Sequence, residues 1–195
     1  MITLVLGGAR SGKSAFAEEL ASHPEVSGGV IYIATADALD DEMTSRISKH
    51  RDRRPRGWAT WDGETASLPS EMKNIASSWD VLLLDSLTMY LSCAFLAAPE
   101  ADGGDEALWS AAEGKIIGEM AKIFSSFKEA SSGTQKSLIV VSDETGCGIV
   151  PSNRMGRRFR DLQGRANQVA ARHADEAALV VAGMPLWIKR HEPGK

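Results

Sequence analysis

The octapeptide Gly7-Gly8-Ala9-Arg10-Ser11-Gly12-Lys13-Ser14 follows the apolar run Ile2 to Leu6 and opens a helical pattern, and no other feature constrains the chain as much. Gly-x4-Gly-Lys-Ser between a buried strand and a helix is a phosphate-binding loop. The glycines let successive amides curl round phosphate oxygens, the lysine reaches the outer phosphates, and the serine hydroxyl can ligand magnesium. The motif predicts a nucleoside triphosphate site in which Lys13 acts on the transferring group and Ser14 binds the metal. It also demands an α/β fold, because strand, loop and helix must follow in that order.

The rest of the chain agrees with that demand. Short apolar runs at Ile2–Leu6, Val30–Ala34, Val81–Leu84, Leu138–Ser142 and Leu179–Ala182 alternate with helical patterns. Such alternation is the mark of a mostly parallel sheet covered by helices on both faces. A last run, Leu186–Lys189, follows Gly183 and Pro185 and reads as an edge strand closing a C-terminal hairpin. The stretch Ala98–Asp105 reads as a surface loop before a long helix. One nucleotide-binding domain is expected over residues 1–195.

Composition narrows the function classes. A formal net charge of −4 argues against a protein that binds nucleic acid through a broad basic face. Cys93 and Cys147 stand far apart, so neither a disulfide framework nor a zinc site is expected, and both read as buried reduced thiols. The opening Met1-Ile2-Thr3-Leu4-Val5-Leu6 lacks the basic start of a signal peptide, and no apolar run is long enough to span a bilayer. A cytoplasmic protein without membrane insertion is expected.

Asp85 ends the run Val81–Leu84 at the carboxyl end of a strand, where ligands gather in open α/β sheets, and is the candidate second carboxylate on the magnesium side. Three classes remain open to a chain with such a loop: a small-molecule kinase, a GTP-binding switch and a motor-type ATPase. Asp143-Glu144-Thr145-Gly146 spells the DxxG pattern of a switch, yet no guanine-reading NKxD-like sequence follows. A motor would need more chain for its coupling elements. The kinase class survives best.

Asp40, Asp41 and Glu42 read as the cap and acidic first turn of a helix reaching about His50, with Met43, Ile47 and His50 on one face. His50 is followed at once by Arg51, Arg53, Arg54 and Arg56. Two readings stand side by side. Basic residues at a helix end complement its dipole. Arginine forks also hold phosphate oxygens, and a neutral imidazole beside them could attack an α-phosphate.

The chain resembles the bifunctional adenosylcobinamide kinase/adenosylcobinamide-phosphate guanylyltransferase family over nearly its whole length. The residues carrying the resemblance are Gly7 to Ser14, Tyr32 to Ala36, Asp40 to Met43 with Arg46, Ile47 and His50, and Arg54-Pro55 with Trp58. They continue through Glu144 to Pro151, Asn153-Arg154, Phe159 to Asp161 and Gly164 to Gln168. The resemblance implies two successive reactions. A nucleoside triphosphate, ATP or GTP, phosphorylates the aminopropanol hydroxyl of adenosylcobinamide. GTP then guanylylates a histidine, which aligns with His50, and the GMP passes to adenosylcobinamide phosphate. Nucleotide-contacting positions implied in the same way are Ala34, Thr35, Ala36, Arg51, Arg53, Arg54, Asp62 and Asp85, beside the loop itself. Mg2+ on Ser14 and Asp85, and a homotrimer, are further implications.

Three positions depart from the family pattern. Asp62 stands where a glutamate is frequent, with Glu64 close by as the alternative. Asp143 stands where asparagine is common, and Asp85 where some members carry glutamate. His23, His173 and His191 lack a basic cleft context and read as surface or capping residues. Along the last long helix Met155, Phe159, Leu162, Ala166 and Val169 form the apolar stripe, and Arg157, Arg158 and Arg165 read as its solvated face.

Overall fold

A computed structural model describes residues 1–23, 28–35 and 55–190. Ala36, the expected helix from Asp40 to His50, Arg51, Arg53, Arg54 and His191 lie outside the described residues.

The first strand, β1 (Ile2–Gly7), runs into the loop and then into α1 (Lys13–Ala21). Next come β2 (Val30–Ala34), the three-residue β3 (Ala59–Trp61), a single 3-10 turn (Thr65–Ser67) and α2 (Leu68–Ser78). After β4 (Val81–Asp85) follow α3 (Leu87–Leu96), the short α4 (Glu100–Gly103) and the long α5 (Glu106–Ser131). The chain closes with β5 (Ser137–Asp143), α6 (Arg154–His173), β6 (Glu176–Val181) and β7 (Met184–Lys189).

Together the strands form one seven-stranded sheet in the order β3-β2-β4-β5-β1-β6-β7, all parallel except β7. The expected α/β architecture and its closing hairpin are therefore observed. Alternate residues of the central strands feed two cores. Leu4, Ile33, Leu84 and Val140 face α2, α3, α5 and α6, whereas Val5, Tyr32, Leu83 and Val141 face α1. Burial on both faces is why these strands carry unbroken apolar runs.

Several boundaries differ from the sequence expectation. β6 begins at Glu176 rather than Leu179, because the small Ala177 and Ala178 are buried strand residues without β-branched character. Ala182, expected in the strand, instead shares with Gly183 a two-residue hairpin turn, at φ 52° and 79°. Positive φ at both positions matches the strand twist of such hairpins. Pro185 is tolerated because β7 is an edge strand.

The expected loop at Ala98–Asp105 contains α4, and the reason is Arg158. That side chain is buried, not on a solvated face. Its guanidinium donates to the carbonyls of Glu100 (2.7 Å), Ala101 (3.3 Å) and Gly104 (3.0 Å) and lies 5.3 Å from the Trp109 ring centre. It thus adds a donor to the carbonyls of a one-turn helix, of which Glu100's also accepts the Gly104 N–H. Arg165 is largely exposed but pairs with the buried Glu113. His173, read as surface, is half-buried and stacks on Phe124 at 5.2 Å. Cys147 is exposed and Cys93 half-buried, rather than both buried, and neither forms a disulfide among the described residues.

Candidate active site

The loop after β1 is shaped by its glycines. A Cβ on Gly7 would overlap Ser11 Oγ and lie 2.8 Å from the Val180 carbonyl, so the strand can turn there only without a side chain. Gly12, at φ 94°, occupies the cap position of α1 with no side-chain cap. The first amides of that helix are therefore left for an external acceptor. Arg10 holds φ 58°, an uncommon conformation for a side-chain-bearing residue. The hairpin tip braces the loop from behind: Gly183 N–H donates to the Ser11 carbonyl at 2.7 Å.

Lys13 leans across the loop. Its ammonium donates to the Gly8 carbonyl at 3.3 Å and pairs with Asp143 Oδ1 at 2.5 Å. Asp143 ends β5, the strand next to β1. It is held from two sides, its N–H donating to Thr88 Oγ1 (2.8 Å) and its carbonyl accepting from Asn167 Nδ2 (2.9 Å). Behind it lies a buried polar cluster. Ser142 Oγ donates to Asn167 Oδ1 at 2.6 Å, and Gln163 Nε2 reaches both at 2.9 and 3.0 Å. A polar cluster in an otherwise apolar layer fixes the position of what it holds, here the tip of β5.

Asp85 ends β4, on the far side of β5 from β1. Its Oδ2 accepts from the phenol of the buried Tyr32 at 2.7 Å, which orients the carboxylate. Thr35, beyond β2, donates its hydroxyl to the Ser86 carbonyl (2.7 Å) and accepts from Ser86 N–H (2.9 Å). It thereby locks the backbone that follows Asp85. Ser86 Oγ in turn caps α3 by accepting from Met89 N–H. Thr65 Oγ1 reaches the Thr35 carbonyl at 3.4 Å. Asp62 and Glu64 both stand exposed on the turn after β3.

Ser14, Lys13, Ala34, Thr35, Asp62 and Asp85 thus belong to the carboxyl edge of one parallel sheet, where open α/β folds bind ligands. His50, Arg51, Arg53, Arg54 and Ala36 lie outside the described residues. Sequence reasoning missed three contributors. Tyr32 was visible as a strand residue inside a family block, Asp143 as the start of the DxxG pattern and a departure from the family's, and Asn167 as part of a block, none with a stated role. No local signal joins Tyr32 to Asp85 or Asn167 to Asp143, because each pair meets only through the sheet.

The sequence profile described as cobinamide kinase / cobinamide phosphate guanyltransferase matches residues 3–188. The chain belongs to this family. Within it, the bifunctional adenosylcobalamin biosynthesis protein CobU of Salmonella typhimurium is 36% identical over 192 residues, spanning 97% of this chain and 100% of that protein. The corresponding protein CobP of Pseudomonas aeruginosa is 37% identical, spanning 97% and 98%. Among solved structures, the flagellar accessory protein FlaH from Methanocaldococcus jannaschii superposes with a TM-score of 0.54 at 12% identity, covering 97% of this chain and 78% of that one. That likeness is one of fold. The loop, Lys13 and the two strand-end carboxylates, Asp85 and Asp143, all stand on rigid elements at the sheet's carboxyl edge. No described helix is long and apolar enough to cross a membrane.

Proposed function

We propose that this protein phosphorylates adenosylcobinamide and then guanylylates the product, within one catalytic domain spanning residues 1–195. The observation that carries the reading is the end-to-end match to bifunctional relatives, 97% of this chain against 100% of one of them. It leaves room for both half-reactions, and the loop geometry supplies the phosphate site each requires.

In the first reaction the aminopropanol hydroxyl oxygen attacks the γ-phosphorus of ATP or GTP, loses its proton, and releases the nucleoside diphosphate. Gly7, Gly8, Ala9, Arg10, Ser11 and Gly12 surround the phosphates, and Lys13 exchanges Asp143 for phosphate oxygens. Ser14 and Asp85 would hold Mg2+. A hydroxyl and an oriented carboxylate are hard oxygen donors, and so small a protein set suits an ion that keeps waters and phosphates as its other ligands. When bound, that ion neutralises charge on the phosphates. In the second reaction a His50 imidazole nitrogen attacks the α-phosphorus of GTP and pyrophosphate leaves. A phosphate oxygen of adenosylcobinamide phosphate then displaces the histidine, forming the diphosphate bond and restoring the imidazole. Arg51, Arg53 and Arg54 neutralise the α-phosphate, and Ala34, Thr35, Ala36 and Asp62 contact the nucleotide.

A homotrimer working in the cytoplasm, without nucleic acid, completes the reading. Met184, Leu186 and Ile188 support self-association. They alternate along the edge strand β7 and are each more than half exposed, which makes an apolar stripe at the sheet's rim. The reading is tested by incubating the protein with adenosylcobinamide, ATP, GTP and magnesium and separating the corrinoids by chromatography. The expected sequence is the phosphorylated corrinoid followed by the GDP derivative. Accumulation of the phosphorylated form alone would reduce the protein to a kinase, and unaltered corrinoid would refute both activities.

A further inference from the structure

A cleft of about 810 Å3 lies beside the phosphate site, walled by the turn after β3, the outer half of α3, the start of α4 and the first half of α5. Its floor is made of small and apolar groups, among them Ala94, Ala97, Ala111, Ala112 and Ile116. Glu64, Glu100 and Glu119 stand round it with one lining ammonium, Lys115, and Glu119 also pairs with Lys122 at 2.7 Å. Three carboxylates against these two ammoniums leave the rim net acidic and unfavourable to a nucleotide, whose phosphates would meet like charge. The same field reaches Tyr90 in its wall, whose phenol is pushed up to about 12 by burial and by the charge of Glu119.

The cleft is also connected to the chemistry. Thr65, in its wall, donates to the Thr35 carbonyl, and Thr35 clamps Ser86, the residue after Asp85. One end of the cleft therefore abuts the carboxyl edge on which Lys13 and Asp85 stand.

We propose that this cleft seats the corrinoid acceptor, with the macrocycle on the alanine-rich floor and its side-chain amides donating to Glu64, Glu100 and Glu119. Cobalt(III) in a monoanionic corrin ring bearing one adenosyl carbanion keeps a net positive charge. Cobinamide is thus a broad apolar cation rimmed by primary amides, complementary to a carboxylate-rimmed apolar cleft. The volume is at the upper end of the range of about 300–1,000 Å3 for small-molecule clefts, suited to one face of so large a ligand. Lodged there, its aminopropanol arm points along the Thr65 side toward the loop.

The inference rests on the corrinoid reading above, and its test separates the two. Adenosylcobinamide binding is followed by equilibrium dialysis, read by corrinoid absorbance, for the natural protein, Ala112→Trp and Glu119→Gln, with GTP affinity measured in parallel. Ala112→Trp should weaken corrinoid binding at least roughly tenfold by filling the floor. Glu119→Gln, which preserves shape, should weaken it about fivefold through loss of one charge. GTP affinity should not change in either. If the natural protein binds no corrinoid, the functional reading itself fails. If it binds corrinoid and both variants do so equally well, the cleft is not the seat. A sedimentation shift to smaller species in Ala112→Trp with corrinoid affinity intact would overturn the proposal in favour of a second copy of the chain as occupant.

Discussion

Replacing Asp143 with asparagine tests how the loop lysine is held before nucleotide arrives. Lys13 Nζ and Asp143 Oδ1 are 2.5 Å apart, with side chains only 13% and 28% exposed. A triphosphate can take the ammonium only by displacing that carboxylate, which then stays beside the phosphates. Exposed ion pairs contribute about 0.2–1 kcal/mol, whereas losing one member of a buried pair costs about 3–5 kcal/mol. At this intermediate exposure the pair opposes nucleotide entry by roughly 1.5 kcal/mol, near the 1.4 kcal/mol that corresponds to tenfold in affinity. Asp143→Asn removes both the competing partner and the repulsion. It should bind GTP about tenfold more tightly in calorimetric titrations run in EDTA, where no metal can bridge Asp143 to the phosphates. Its nucleotide-free form should also be less stable by about 1 kcal/mol. Unchanged or weaker GTP binding would refute the exchange of Asp143 for phosphate on Lys13.

Three further outcomes follow from the geometry. Arg158→Ala removes the side-chain donor from three carbonyls, of which only Glu100's keeps another, the Gly104 N–H, and takes the cation from Trp109, so chemical denaturation should show a loss of about 3 kcal/mol, with proteolysis faster near α4. Burial holds the Glu113 carboxyl above its ordinary 4.5, outweighing the pull of the exposed Arg165. The folded state then binds the extra proton, so this group's stabilising contribution is full below pH 4.5 and is lost as pH rises through the raised value; Glu113→Gln should flatten that fall in a pH series of denaturation midpoints. Gly7→Ala puts a methyl against Ser11 Oγ and the Val180 carbonyl, and should lower stability by about 1–3 kcal/mol while reducing GTP binding at least tenfold in the same titration.

Local chemistry was legible in the sequence wherever one segment carries the whole signal. The phosphate loop is such a case, since the turn geometry of Gly7 and Gly12 and the reach of Lys13 are written in eight consecutive residues. The buried strands β1, β2, β4 and β5 were legible because burial on both faces requires continuous apolar residues. What could not be read depends on residues that meet only after folding. Arg158 looked like any surface arginine on a helix, and its carbonyl partners in α4 lie more than fifty residues away in sequence. Tyr32 meets Asp85 because β2 and β4 pair in register. β3 is three residues long and half-buried, too short to carry a period of its own. Asn167 sits in a block that the family resemblance had marked, and the structure supplies its physical reason: the amide holds the tip of β5, and with it Asp143.

On the proposed function, one protein uses a covalent guanylyl-histidine to couple two phosphate chemistries. Its most direct test is incubation with magnesium and GTP labelled at the α-phosphate, followed by a denaturing gel, with γ-labelled GTP and His50→Ala alongside. Acid-labile protein label is expected from the α-position only, absent in His50→Ala. Protein that binds GTP but takes up no label, or a His50→Ala variant labelled as strongly as the natural chain, would contradict it.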